Sequence, residues 1–559
     1  MSIVILLIVG VVQCFFISKK EGYHLDEILS FEMSNAEYNP WIVPTQPVGR
    51  LAKFMHEEVD GETIAEAVSN SIVIVEDVWE NRGNSKLLTY KADVYEEPAW
   101  ITAKQMQDYL VTDKGDRFSY LSVYFNVKDD THPILFFMLL HTVSSLFPTS
   151  FAPFIGCGIN LLFVLLTCFL LIRISVYLEE KGVLKKNGFL LGAIAALLYG
   201  LSSGAIATTL LIRMYGMLTF WCLLTLYLHL QKWLEETFDK KNVALIAVTV
   251  AGFLTQYFFL FYCIVLAIVC CVLLWKKKRT KEIVCYVRAM IVSGVLGIAI
   301  FPFCFSHIFA GDRGIGAFQS LLSGLGEYIQ RIIVFGDILF SRGFGNLWLG
   351  ILACTLFVAA VFVTIRKGVG KEKVAVISLI VLPAVCYFLL TAKMAPFYVD
   401  RYIMVVFPFC MLALAYALLL IFEKRKFIAV IAAIGISAFN VITYDGEYLY
   451  QGYEEQLQVA EEYGAYPCIC LYEGYGYYEN IPEFMKYSET LLVTADELLG
   501  RQNAEDVEEL TQVVLLIKAG VSEDKLEACL EKYNWDISKE LISGGAHGER
   551  IIFCTVKGI

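Results

Sequence analysis

The chain has 559 residues, 57% of them hydrophobic, with a mean hydropathy of +0.60. A soluble domain of this length could not hide so much apolar surface, so most of the chain is expected in lipid. The net charge of −11 is spread unevenly: residues 19–131 hold 21 acids and 11 bases, residues 444–559 hold 23 acids and 8 bases, and the remainder is net +14. A basic membrane part fits the excess of Lys and Arg in cytoplasmic loops, and nucleic acid is not an expected partner.

The opening stretch, MSIVILLIVGVVQCFFISKK, lacks the basic n-region and small-residue cleavage site of a signal peptide. It reads as a retained first transmembrane helix over 1–18. Residues 19–131 then form a polar loop far longer than the usual connection of a handful of residues, and long loops tend to be functional. Within it TIAEAVSNSIVIVEDVW and ITAKQMQDYLV read as partly amphipathic helices on the membrane surface.

Apolar runs near the roughly 20 residues needed to cross a bilayer recur along the rest of the chain. They predict helices at about 152–172, 187–204, 213–231, 242–254, 255–275, 283–305, 345–365, 373–392, 400–422 and 426–443, with a shorter, embedded run at 134–147. The expected fold is an α-helical polytopic membrane bundle of about 11 to 13 transmembrane helices. Cytoplasmic placement of the basic connections EEKGVLKK, WKKKRTK, RKGVGKEK and EKRK leaves the 19–131 loop and the tail on the extracytoplasmic side.

The tail, 444–559, alternates strand-like runs (CICLYEG, LLVTA, QVVLLIKA, IIFCTV) with helical stretches (IPEFMKY, DKLEACLEKY). This order predicts a small α/β domain. It has no Gly-rich phosphate loop, which points to an accessory role. Of the 16 Cys, twelve precede residue 444 in or beside apolar runs and none lies in the 19–131 loop, a pattern that excludes a disulfide framework and zinc spacing.

Four places carry candidate chemistry. HLDE (His24, Leu25, Asp26, Glu27) sets two adjacent carboxylates just past the first helix; it is either a solvated acidic pair or half of a site. At the other end of the same loop KDDTHP brings Asp129, Asp130 and His132 to the next apolar segment, with Pro133 suited to a first helical turn. Arg213, in LLIRMYGMLTFWCLL, is a charge at a membrane helix end; such a residue is a site candidate or an anchor that snorkels to the interface. TAKMAPFYVDRYIMVVFPF gathers Lys393, Asp400, Arg401 and Tyr402; its cations suit a lipid phosphate or serve as ordinary interfacial anchors. Less pointed are Tyr472, Tyr475, Tyr477 and Tyr478, which either stack on a sugar or cover a domain surface, and Gln256–Tyr257, a candidate helix break.

The DE pair of Asp26 and Glu27, the D-x-H-P of Asp130 to Pro133, the Arg-x-Tyr of Arg213 and Tyr215 and the RY of Arg401 and Tyr402 occur in an order that resembles the C superfamily of membrane glycosyltransferases (the GT-C fold). The resemblance is to its protein O-mannosyltransferase and aminoarabinose transferase branch, and it spans residues 1 to about 443 as a layout. It implies transfer of a sugar from a polyprenyl-phosphate donor to an extracytoplasmic glycan, lipid or protein. It further implies Asp26 as general base, Arg213, Tyr215, Lys393, Arg401 and Tyr402 around the donor phosphate, and Glu27, Asp129, Asp130 and His132 orienting acceptor, sugar or metal. His24 joins these carboxylates as a possible ligand of Mg²⁺ or Mn²⁺. The chain departs from the branch in having Ile134 and Leu135 after His-Pro, and in its longer first loop. A transporter or flippase of lipid-linked sugars is the alternative, although no internal repeat of the transporter kind is present.

Overall fold

The computed structural model describes residues 2–46, 49–61, 63–91, 95–128, 130–309, 312–322, 324–366, 370–474, 476–502 and 504–558. The chain divides into two units, Met1–Lys20 with Val127–Phe136 and Pro153–Tyr448, and Glu21–Asn126 with Phe137–Ala152 and Leu449–Ile559.

The first unit is helical because its sequence is apolar over whole turns. Among the described residues six stretches are long and apolar enough to cross a membrane: Pro153–Glu180, Phe259–Lys276, Thr280–Ile300, Leu347–Thr364, Lys371–Met394 and Asp400–Ile421. Gly188–Gly200 and Ser203–Leu210 make a seventh if taken as one span bent by 59°. The protein is a multi-pass membrane protein. The other apolar runs also become helices, but Ser2–Ile17, Leu135–Leu146, Val243–Thr255 and Lys426–Ile442 are shorter and the 20-residue Tyr215–Leu234 is less apolar, so length and apolarity together separate six or seven spans from the 11 to 13 expected. Two helices lie wholly where no span is expected, Asp312–Leu321 and Leu325–Phe344, and Cys304–Phe309 runs past the end of the one expected at 283–305.

Local chemistry explains the joints. Glu179 accepts from the N–H groups of Asn187 (3.1 Å) and Gly188 (2.7 Å), so the EEKGVLKK connection folds back and its carboxylate caps the next helix. In that helix a Cβ on Gly192 would lie 2.5 Å from the Ile172 Cα, so only glycine permits this approach to Pro153–Glu180. At the bend, Ser202 Oγ accepts from the Ala205 N–H (3.1 Å) and restarts the helix as an N-cap.

The second unit is built on a six-stranded sheet. Its strands are β1 (Trp100–Thr102), β2 (Cys468–Leu471), β3 (Glu489–Val493), β4 (Gln512–Ile517), β5 (Trp535–Ile542) and β6 (Arg550–Val556), in the order β1-β3-β2-β4-β6-β5. The pairs β3–β2 and β2–β4 are parallel and the other three antiparallel. Every residue of β2 is buried, as a central parallel strand covered on both faces requires. On one face Ile469, Leu471, Leu491, Val493, Leu515 and Trp535 pack with Leu498 and Leu526 from the covering helices.

The tail and the first loop, separate in the sequence reading, share this unit. Trp100 of β1 pairs with Leu491, and its Nε1 donates to Asp506 Oδ2 at 2.8 Å. The hydroxyls of Tyr477 and Tyr478 both donate to the Ile42 carbonyl (2.9 and 3.4 Å). These tyrosines and Tyr472 are buried, whereas Tyr475 lies outside the described residues. Beneath them is a polar core. The Asn480 amide donates to Glu483 (2.5 Å) and Glu549 (2.9 Å) and accepts from Lys518 Nζ (2.7 Å), and Glu483 and Glu549 are fully buried.

Candidate functional site

The HLDE motif opens the helix Leu25–Asn35 of the second unit. The Asp26 N–H donates to His24 Nδ1 (3.0 Å) and the His24 N–H donates to Glu27 Oε2 (2.6 Å). This is a capping box with histidine in the place usually held by Ser or Thr. Glu27 is fully buried and its carboxylate is turned back on the backbone, which gives it a part in starting the helix. Asp26 keeps its side chain 15% exposed, with Oδ2 3.7 Å from His24 Nδ1.

The D-x-H-P motif belongs to the helical unit, where its order comes from side chains. His132 Nδ1 lies 3.1 Å from Asp130 Oδ2 and 3.3 Å from Arg213 Nη2. Arg213 is 5% exposed and sits in the short break between Ser203–Leu210 and Tyr215–Leu234. Burial alone would raise the pKa of Asp130. The neighbouring His132 and then Arg213 overcome it and hold the carboxyl down at about 2. Asp129 lies outside the described residues.

Around Arg213 the structure gathers aromatic rings from distant segments. Tyr215 meets Tyr402 edge-on (6.2 Å, 84°), and Phe258 packs on Tyr402 at 5.3 Å. Tyr402 stands in the 3-10 helix Asp400–Val406 beside Arg401, whose guanidinium lies 5.7 Å from the Tyr402 ring; the Tyr387 hydroxyl donates to the Tyr402 carbonyl at 3.0 Å. Phe258 follows Gln256 and Tyr257, which separate the helices Val243–Thr255 and Phe259–Lys276, so the helix break read in the sequence is present. Lys393 is placed by a different set of contacts: its Nζ lies over the Tyr328 ring (5.2 Å), near where Arg331 donates to the Ala392 carbonyl (2.7 Å).

Two groups escaped the sequence reading. His307 Nε2 is 2.8 Å from the Lys128 carbonyl and Nδ1 is 3.0 Å from the Tyr257 hydroxyl, so the segment entering D-x-H-P is tied to the helix break. Arg342 gathers Asp445 (2.6 Å), Asp400 (3.9 Å) and Glu447, and the Tyr448 hydroxyl donates to Asp400 Oδ1 at 3.0 Å. This ion network fixes the residue preceding Arg401. Both partnerships join segments 48 to 179 positions apart, and no local spacing announces them.

Among the described residues, Glu37, His56 and Asp60 of the second unit place ligand-type atoms within 4.8 Å of one another. His56 Nε2 is 2.9 Å from Glu37 and Nδ1 is 2.8 Å from Asp60. None of them is among the residues named above as cation ligands, Glu27, Asp129, Asp130, His132 and His24.

No protein-family profile and no curated protein matches the chain. Among solved structures it is similar to ArnT from Cupriavidus metallidurans bound to undecaprenyl phosphate, with 13% identity, a TM-score of 0.45, and coverage of 76% of this chain and 88% of that one. It is also similar to ArnT from the same organism in the apo state, with 10% identity, a TM-score of 0.44, and coverage of 79% of this chain and 93% of that one.

Proposed function

We propose that the protein is a membrane glycosyltransferase that moves a sugar from a polyprenyl-phosphate donor to an extracytoplasmic glycan, lipid or protein. The observation that carries this reading is Arg213, a buried guanidinium in a helix break, next to His132 and two residues before Tyr215, whose ring meets that of Tyr402. A charged side chain sheltered inside an apolar bundle is a functional candidate by default, and a guanidinium beside an ionised carboxylate still has N–H donors suited to phosphate oxygens. In this reading Arg213 and Arg401 bind the donor phosphate and stabilise the charge that grows on it as the glycosidic bond breaks, so no acid need protonate the leaving group. Tyr215 and Tyr402 contribute their paired rings to the donor site, and Lys393 serves as a further cation for the lipid-linked phosphate.

Asp26 acts on the acceptor in this scheme. A hydroxyl is a weak nucleophile, and a carboxylate within hydrogen-bond reach takes its proton as the new bond forms. Glu27 contributes by fixing the helix start that carries Asp26. Asp130 and His132 orient the sugar or the acceptor. The first loop and the tail are assigned to the extracytoplasmic side on the strength of the basic connections EEKGVLKK, WKKKRTK, RKGVGKEK and EKRK.

The test is incorporation of radiolabelled sugar from polyprenyl-phosphate donors by the purified full chain, beside Asp26→Asn. We expect transfer by the wild type and a loss of about 100-fold or more in the mutant. Undiminished transfer by Asp26→Asn removes the base assignment. Movement of lipid-linked sugar across liposomes without transfer replaces the enzyme by a flippase. A chelator series with Mg²⁺ or Mn²⁺ add-back decides whether transfer needs a divalent cation.

A further inference from the structure

The helix Ile64–Asn81 of the second unit is apolar on two sides, and its own fold covers only one of them. Ile74 is buried and Val78 packs with it against Phe54, Met55, Val59, Leu87 and Tyr90. Val68, Ile72, Val75 and Trp79 are not used there and stand 53%, 53%, 68% and 84% exposed. Their spacing of four, three and four residues puts them within about 60° of arc at 100° per residue, so they form one stripe along the helix. The neighbouring arc carries Glu66, Ser69, Glu76 and Glu80, with Val73 exposed among them. Four large apolar side chains aligned in the open mark an interaction surface.

We infer that this stripe lies in the headgroup–acyl boundary of a bilayer whose headgroups are zwitterionic, with Trp79 as its anchor. Two observations select lipid as the occupant. First, the chain passes between the two units five times, at residues 20–21, 126–127, 136–137, 152–153 and 448–449, so the helix is covalently held to segments that reside in the membrane. A surface tethered in this way meets lipid at a high effective concentration. Second, the stripe covers two thirds of an 18-residue helix, about 17 Å from Val68 to Trp79, and a Trp near one end suits an interfacial position. The helix carries four acids, Glu66, Glu76, Asp77 and Glu80, and no Lys or Arg, so its charge opposes an anionic surface and apolar contact must supply the binding. This inference does not depend on the sugar-transfer reading.

The full chain is reconstituted in phosphatidylcholine vesicles, and the emission of Trp79 is obtained as the difference between the wild type and Trp79→Phe. With lipid brominated near the glycerol end of the acyl chain, the Trp79 component is expected to fall about twofold or more, and Val75→Glu to restore most of it. Adding phosphatidylserine should weaken the quenching. An unquenched Trp79 that aqueous iodide still reaches overturns the inference. So does a Trp79 shielded from both quenchers in proportion to protein density, which assigns the stripe to a second copy of the chain.

Discussion

Asp130 in the helical unit and Glu483 in the sheet unit meet the same force with opposite results. Burial raises the pKa of both. At Asp130 the adjacent His132 and Arg213 overcome it, and the carboxyl is held at about 2. At Glu483 the hydrogen bond from Asn480 works against burial, Glu549 adds to it, Lys518 offsets part of it, and the carboxyl is pushed up to about 8. Lys518 donates instead to Asn480 and lies 3.6 Å from Glu479. A carboxylate kept ionised in a sheltered place is a candidate for chemistry; one allowed to take up a proton is part of a core.

Replacing Arg213 breaks the contrast most strongly. Arg213→Ala should cut sugar transfer by about 100-fold or more in the radiolabel assay, with Arg213→Lys between the two because it keeps the charge and loses the fork. Glu483→Gln sharpens the other side. The folded pKa of Glu483 lies above its ordinary 4.5, so its contribution is fully present below pH 4.5 and is lost as pH rises through 8. The Gln variant should unfold a few degrees higher at pH 9 and no higher at pH 4, read by heating the detergent-solubilised protein.

Asp130 carries the opposite sign. Its folded pKa lies below the ordinary 3.8, so its contribution is present above that pH and is lost as pH falls through 2. Wild type should lose on the order of 2 kcal/mol across this window relative to Asp130→Asn. Glu27 gives the smallest effect: Glu27→Ala should cost about 1 kcal/mol by losing the cap, while Glu27→Gln, which can still cap, should cost a few tenths.

The spans were legible because apolar length is a local property. So were β2, β3, β4 and β6, whose runs CICLYEG, LLVTA, QVVLLIKA and IIFCTV all contain strands. β5 was missed because WDISKELI is an edge strand exposed over most of its length, with little alternation to read. β1 was missed because three residues form a strand only once β3 is beside them. At the site, Asp130, His132 and Arg213 were named from chemistry and are in contact. HLDE was read as either a solvated acidic pair or half of a site, and its part in starting a helix went unread, since a histidine cap hides the usual capping-box signature. His307 and Arg342 stayed invisible, and Tyr257 showed only as part of a helix break, because their contacts exist only through partners far along the chain.

The pairing of Trp100 with Leu491 bears on how the molecule is made. A ribosome releases Trp100 long before Leu491, with the membrane helices of the other unit threaded in between. Throughout synthesis the early segment has no strand to pair with, and contacts this distant in sequence are the slow ones to form. The sheet therefore closes last, and a truncated chain betrays itself by an unzipped edge that a quality-control protease could read.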